Sequence, residues 1–183
     1  MNKRSEELRF GTSGLRDTVL NMTDMECYIN TKGFIAYLND AGEFGKGGSI
    51  AIAGDRRPST PRIKRAVAAA IRDSGGMVDD QGLVPSPALG FYAMELGIPS
   101  IMVTGSHIPA DRNGIKFTKR SGEVLKSDEE GILVGVARCR EEVYGTVAEN
   151  SLFDENGMFK NDARLAVEML LEDDEYRGKS AEL

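Results

Sequence analysis

Apolar residues recur at two spacings along the chain of 183 residues. After Thr23 they fall at Ile29, Phe34, Ile35 and Leu38, the three-to-four spacing of one helix face. Thr23-Asp24-Met25-Glu26 reads as a capping box for that helix, and Gly42 supplies a stop. Gly33 weakens its middle. Residues 49–55 then form a short apolar run bounded by Gly47-Gly48 and Asp55, the pattern of a buried strand. A second helix is expected from Thr60, as its cap, and Pro61, as its first residue, through Ile63, Val67, Ala70 and Ile71 to Gly75-Gly76. Met77-Val78 is a short strand. Pro85-Ser86-Pro87 opens a third helix, with Leu89, Tyr92, Ala93 and Leu96 on one side and Gly97 at its end. Residues 100–104 are a largely apolar strand, 105–114 a loop and 115–117 another strand. Ser127-Asp128-Glu129-Glu130 is a second capping box, ahead of Ile132, Val136, Cys139 and Val143. Near the start, Leu8-Arg9-Phe10 is a weak strand signal and Gly11-Thr12-Ser13-Gly14 a loop.

This alternation predicts an α/β fold, three layers (α/β/α) around a mixed, mostly parallel sheet. The continuous apolar centre of residues 100–104 predicts a sheet covered on both faces. Residues 1–148 are expected to form the domain. Residues 149–183 read as an acidic extension or the start of a second domain, with a turn at Asn156-Gly157 and a last helix around Leu165, Val167, Met169, Leu170 and Leu171.

Composition changes this picture little: 40% hydrophobic and 28% charged residues suit an ordinary globular domain. Charge sharpens it. Residues 1–150 carry 20 acidic and 19 basic side chains, whereas 151–183 carry 9 and 4, giving a net charge of −6 overall. Such a balance argues against a nucleic-acid partner. No apolar run approaches the ~20 residues of a membrane span, and with no apolar segment after the charges of residues 1–7 a signal peptide is not expected. Cys27 and Cys139 are expected to be buried free thiols, in keeping with a reducing, cytoplasmic location.

The chemistry concentrates in three loops. In residues 104–116 an apolar strand delivers Ser106 and His107, the only histidine of the chain, to the carboxyl edge of the sheet, where α/β proteins bind ligands. Gly105 and Gly114 permit close backbone approach, and Arg112 and Lys116 supply positive charge. A serine carrying a phosphoryl group holds a charge of about −1.5 to −2, which cations and backbone N–H groups must offset. Residues 10–16 form a second glycine-bearing loop whose Arg16 can grip phosphate oxygens in a paired fashion. Residues 54–60 end a strand and open a helix. There an anion site competes with a structural reading in which Asp55 pairs with an arginine and Ser59 or Thr60 caps the helix. Taken singly, residues 10–16 read better as an N-terminal turn with a solvated Arg16, and Pro58, Ser59 and Thr60 read better as structural.

Together, in this order, the three loops resemble the first domain of the α-D-phosphohexomutase family, the phosphoglucomutases and phosphomannomutases, over residues 8–145. The most specific part is Thr104-x-Ser106-His107-x-Pro109 followed by Asn113-Gly114-x-Lys116. Gly11-Thr12-Ser13-Gly14-x-Arg16 and Gly54-Asp55-x-Arg57-Pro58-Ser59 add to it. The resemblance implies an isomerase that moves a phosphoryl group between the 1- and 6-positions of a hexose through a phosphoserine and a bisphosphorylated sugar. It implies Ser106 as the phosphoserine and, through its phosphate, a ligand of Mg²⁺. His107, Lys116 and Arg16 would handle protons and charge, and Thr12, Ser13, Arg16, Asn113 and Lys116 would hold phosphate or substrate. A bisphosphorylated hexose would act as activator.

The chain departs from the family's commonest pattern at Gly105 (alanine), Ile108 (asparagine) and Asp17 (glycine). Gly105 is expected to be harmless, Ile108 to remove a hydrogen bond from the loop, and Asp17 to bring negative charge toward the phosphate. The family has four domains. Its metal loop has no counterpart here, since Asp79-Asp80 and Asp173-Asp174 lack the spacing. The missing domains are therefore the expected partners, the isolated chain is expected to be inactive, and apolar surface left uncovered would favour self-association. The alternative is a binding or interaction module that keeps the fold without catalysis. A serine hydrolase lacks its Gly-x-Ser-x-Gly elbow.

Overall fold

The computed structural model describes residues 7–11 and 14–160. Its six strands are β1 (Gly14–Thr18), β2 (Ser49–Gly54), β3 (Met77–Asp80), β4 (Ser100–Val103), β5 (Arg112–Lys119) and β6 (Gly122–Glu123). They form one sheet in the order β1-β5-β4-β2-β3, with β6 paired to β5. The pairs β2–β3 and β2–β4 are parallel, while β5 runs antiparallel to β4, β1 and β6. β5 is therefore the one reversed strand: the other five run the same way, and the sheet is mixed, with two parallel and three antiparallel pairings. The link from β4 to β5 is too short for the helical crossover a parallel pair requires, so the chain turns back on itself.

Four helices cover the sheet: α1 (Asp24–Asp40), α2 (Thr60–Asp73), α3 (Ser86–Leu96) and α4 (Glu129–Gly145). Side-chain alternation along the strands sorts the two faces. Ile50, Ile52, Ile101, Val103, Ile115 and Phe117 join the main core with α1, α2 and α4. Ala51, Ala53 and Met102 face the other way, onto Leu89 and Ala93 of α3. Phe117 stacks on Phe34 with ring centroids 4.5 Å apart. Gly33 explains itself here. A Cβ at that position would lie 2.6 Å from the backbone nitrogen of Val136, so glycine lets α1 and α4 cross closely.

Several local expectations shift. Thr23 caps α1 as expected, its Oγ1 accepting the Glu26 N–H at 3.2 Å. The Glu26 carboxylate turns away from the cap and takes both terminal nitrogens of Arg140, at 2.5 and 2.8 Å. Ser59, not Thr60, is the N-cap of α2, and it makes no side-chain cap bond. Ser127 lies in a 3-10 turn before α4, where Asp128 accepts the Leu125 N–H at 2.7 Å. The first strand is not Leu8-Arg9-Phe10. Only Phe10 bridges to Leu15, and the strand begins at Gly14, because β5 recruits this segment by backbone pairing rather than by apolar pattern.

The boundary expected after residue 148 is not a packing boundary. Phe153 and Phe159 are buried in the main core and stack on each other, and the Phe159 N–H reaches Asp24 Oδ2 at 3.0 Å. Asn156-Gly157 is the turn between them, with Gly157 at φ 75°. The helix expected around Leu165 lies outside the described residues. Cys27 and Cys139 are free and buried, and burial pushes both thiols up. Among the described residues no helix is long and apolar enough to cross a membrane.

Candidate active site

α3 spans only the β2–β4 part of its face, so the same face over β5 and β1 stays open. The open part is floored by glycine. Gly14 lies opposite Lys116 and Gly114 opposite Arg16 in the β1–β5 ladder. The two cations thus sit diagonally across one face with no side chain between them. Neither glycine can be replaced without moving backbone: an added Cβ would stand 2.0 Å from Ile115 O at Gly14 and 2.7 Å from Leu15 O at Gly114. A cleft of about 600 Å³ opens over this floor, lined by Arg9, Arg16, Ser86, Thr104, Ser106 and Lys116 among others.

Ser106 enters the cleft from the loop after β4. It is exposed and is the only non-glycine residue with positive φ among those described, at 53°. A left-handed residue with a Cβ costs about 1–2 kcal/mol, so the surroundings must hold it. They do so through Asp55, at the end of β2. Its Oδ2 accepts the Gly105 N–H at 3.0 Å and the Thr104 hydroxyl at 3.1 Å, while Thr104 Oγ1 accepts the Ser106 N–H at 2.9 Å. Its Oδ1 accepts the Arg57 N–H at 3.0 Å and the Thr60 hydroxyl at 2.6 Å. Partial burial pushes the Asp55 carboxyl up. The bonds from Thr60, Arg57, Gly105 and Thr104 outweigh that, and its pKa settles below the ordinary aspartate value.

Arg57 completes the loop's support. Its Nη1 donates to Pro109 O at 2.7 Å and Arg112 O at 3.2 Å, its Nη2 to Ile108 O at 2.6 Å and Ser106 O at 3.4 Å, and its Nε lies 3.3 Å from Asp55 Oδ2. These contacts leave it no free edge for an anion, so the Asp55–arginine half of the structural reading of residues 54–60 holds, while neither Ser59 nor Thr60 makes a side-chain cap bond.

Of the expected site residues, Ser106, Arg16 and Lys116 meet in the cleft. Lys116 Nζ lies 2.8 Å from Glu123 Oε1, a hydrogen bond and charge that hold the Glu123 carboxyl below its usual range. His107 is exposed beside Ser106 but does not line the cleft. Asn113 is not a ligand contact. It is fully buried on the opposite face, donating to Ser59 Oγ at 2.8 Å and Thr60 Oγ1 at 3.1 Å. Strand parity is the reason, since Asn113 alternates with Gly114. Parity also removes the concern over Asp17. It pairs with Asn113, on the face away from Arg16, and its carboxylate accepts the Thr18 N–H at 2.6 Å. Thr12 and Ser13 lie outside the described residues. Asp79 and Asp80 are structural, accepting from Tyr92 and from Lys64.

Arg9 and Ser86 are contributors that residue patterns did not single out, and the loop-holding roles of Asp55 and Arg57 went beyond the pairing expected of Asp55. Asp55 and Arg57 stood in a quoted motif, but nothing in their spacing says which loop they support. Arg9 and Ser86 carried no signal.

The fold and cleft define an α/β/α domain that presents one serine loop and two cations on the open half of its sheet. The chain belongs to the phosphoglucomutase/phosphomannomutase family: that family's model for its alpha/beta/alpha domain I matches residues 7–141. Phosphomannomutase of Salmonella muenchen is 40% identical over 126 residues, covering 69% of this chain and 26% of that protein. Phosphoglucosamine mutase of Dictyoglomus turgidum is 31% identical over 124 residues, covering 66% and 27%. The crystal structure of a phosphoglucomutase/phosphomannomutase family protein from Burkholderia thailandensis matches with a TM-score of 0.62 at 26% identity, over 72% of this chain and 30% of that one. The chain therefore spans under a third of the length of these relatives.

Proposed function

We propose that this chain is the phosphoserine-bearing part of a phosphohexomutase, acting on a hexose phosphate together with the remaining domains of such an enzyme. The observation that carries the reading is the cleft in which Ser106, Arg16 and Lys116 meet over a glycine floor. In the forward step a sugar hydroxyl oxygen attacks the phosphorus on Ser106. The new P–O bond to the sugar forms as the bond to Ser106 Oγ breaks, the sugar hydroxyl releases its proton, and Ser106 Oγ takes one up. Return of the other phosphoryl group restores the phosphoserine. Phosphoryl transfer depends mostly on position and charge, and Arg16 and Lys116 supply the charge, with Lys116 exchanging Glu123 for phosphoryl oxygens. His107, exposed beside Ser106, is the proton carrier in this reading.

The residues present do not by themselves form a Mg²⁺ site. Among those described, no three His, Cys, Asp or Glu side chains group to hold a metal, and no carboxylate lines the cleft. A Ser106 phosphate would offer oxygen, the ligand type Mg²⁺ prefers, and the other ligands would come from outside the described residues.

The test is to incubate the chain with a bisphosphorylated hexose and Mg²⁺ and follow its intact mass. One added phosphoryl group, absent in Ser106→Ala and slowed about a hundredfold in Arg16→Ala, is the expected result. No uptake, even with the missing domains added in trans, would favour the non-catalytic module. Equal uptake by Ser106→Ala would move the acceptor elsewhere.

A further inference from the structure

We propose that Arg112 and Arg16, flanked by Arg9, hold a second anion position, one that takes a phosphate group other than the one assigned to Ser106. Strand parity puts the three guanidinium groups on one face. Arg112 alternates with Asn113 and so shares the open face with Gly114 and Lys116. In the ladder Thr18 lies opposite Arg112 and Arg16 opposite Gly114, which makes Arg16 and Arg112 diagonal neighbours. Phe10 bridges Leu15 in antiparallel fashion, so the next pair along is Arg9 with Arg16. Arg16 thus has Lys116 on one side and Arg112 on the other. The cleft that holds Ser106 and Lys116 lies on the first side. On the second, Arg9, Arg16 and Arg112 line a separate recess of about 990 Å³ that neither Ser106 nor Lys116 borders. Like charges so close repel unless an anion stands between them. Three carboxylates border the recess, and each is engaged elsewhere. Asp17 accepts the Thr18 N–H at 2.6 Å and the Asn21 amide at 3.2 Å, Glu7 lies 3.9 Å from Arg140, and Glu129 pairs with Lys126. Among the described residues, no carboxylate forms an ion pair with Arg9, Arg16 or Arg112. Arg112 is also fixed at its backbone. Its N–H donates to Pro109 O at 3.1 Å, and its carbonyl accepts from Arg57 at 3.2 Å. Guanidinium groups on a fixed backbone can grip phosphate oxygens through paired donors, and the phosphate supplies the negative charge that their surroundings do not.

This position does not rest on phosphoryl transfer at Ser106. The test is to titrate the full chain at low ionic strength with inorganic phosphate and, separately, with a hexose 6-phosphate, following the amide NMR signals of Thr18 and Arg112. Both ligands should shift these signals to saturation, and chloride at matched ionic strength should not. Arg112→Gln should weaken the binding by about tenfold, the loss expected for a charge-assisted hydrogen bond. Thr18→Glu keeps all three arginines and sets a carboxylate opposite Arg112, and it should weaken the binding at least as much. Ser106→Ala and Lys116→Gln should leave it nearly unchanged, since both side chains lie in the other cleft. Wild-type affinity in Arg112→Gln or in Thr18→Glu, or an equal response to chloride, would overturn the proposal. So would equal losses in Lys116→Gln and Arg112→Gln, which would mean one broad anion site. A hexose 6-phosphate that binds no more tightly than inorganic phosphate assigns the position to the free anion, and tighter binding assigns it to a phosphate carried on a sugar. The position stands in both cases. Arg112-dependent binding in a chain whose Ser106 takes up no phosphoryl group would keep the position and remove the function. Uptake at Ser106 without Arg112-dependent binding would do the reverse.

Discussion

One face of the sheet presents Ile50, Ile52, Ile101, Val103, Ile115 and Phe117 to α1 and α2, each no more than 1% exposed. The other presents Ala51, Ala53 and Met102 to α3, then Gly14, Gly114, Arg16 and Lys116 to the open cleft. Large side chains interdigitate with helices and close the first face, as dense packing requires. Small ones leave the second face shallow, so a single helix suffices over half of it and a cleft remains over the rest. The same strands serve both purposes because alternate residues point opposite ways. β5 shows this most directly: Asn113, Ile115 and Phe117 belong to the closed face, while Gly114 and Lys116 belong to the cleft.

The contrast can be broken most forcefully from the closed side. Phe117→Ala should destabilise the chain by about 3–5 kcal/mol in urea titration, since the ring is fully buried and stacked on Phe34. A loss below about 1 kcal/mol would mean that this face does not carry the fold.

A smaller effect, confined to the open side, should appear in acid. Asp55 has a folded pKa below its unfolded one, which is about 3.9. Its contribution is therefore present above that value and lost as pH falls through the folded value. The amides of Gly105 and Ser106 should lose exchange protection in that window before the amides of β2 do. Simultaneous loss in both places would show that the loop has no separate hold. The smallest effect should follow Glu123→Gln, which frees Lys116 from an exposed pair. Stability should change by less than about 1 kcal/mol by the same urea titration, and phosphoryl uptake should not fall. A marked drop in uptake would make Glu123 part of the working site instead of a competitor for its lysine.

The layered α/β architecture was legible in the chain because β2 and β4 are continuous apolar runs and the helices carry stops such as Gly75 and Gly97. Ser106 was legible too, since its loop combines a strand end, a glycine and the lone histidine. β1 was not, because a five-residue edge strand with one buried apolar residue leaves no period to read. Of the hairpin through Phe153 and Phe159, the turn at Asn156-Gly157 was legible and the burial of the two rings was not. Asn113 misled because a motif preserves residue type but not the side to which a strand turns it.

Sequence alone determined the four helices and the strands β2 to β5, that β4 ends in a serine-bearing loop, and that cations flank it. These are properties of neighbouring residues, and local periodicity and turn chemistry encode them. Tertiary structure alone decided that Arg16 and Lys116 share a face with Ser106, that Asn113 and Asp17 do not, and that Arg57 reaches the loop after β4 to hold it. These depend on strand register and on contacts between residues about fifty positions apart, and register follows from how whole faces pack.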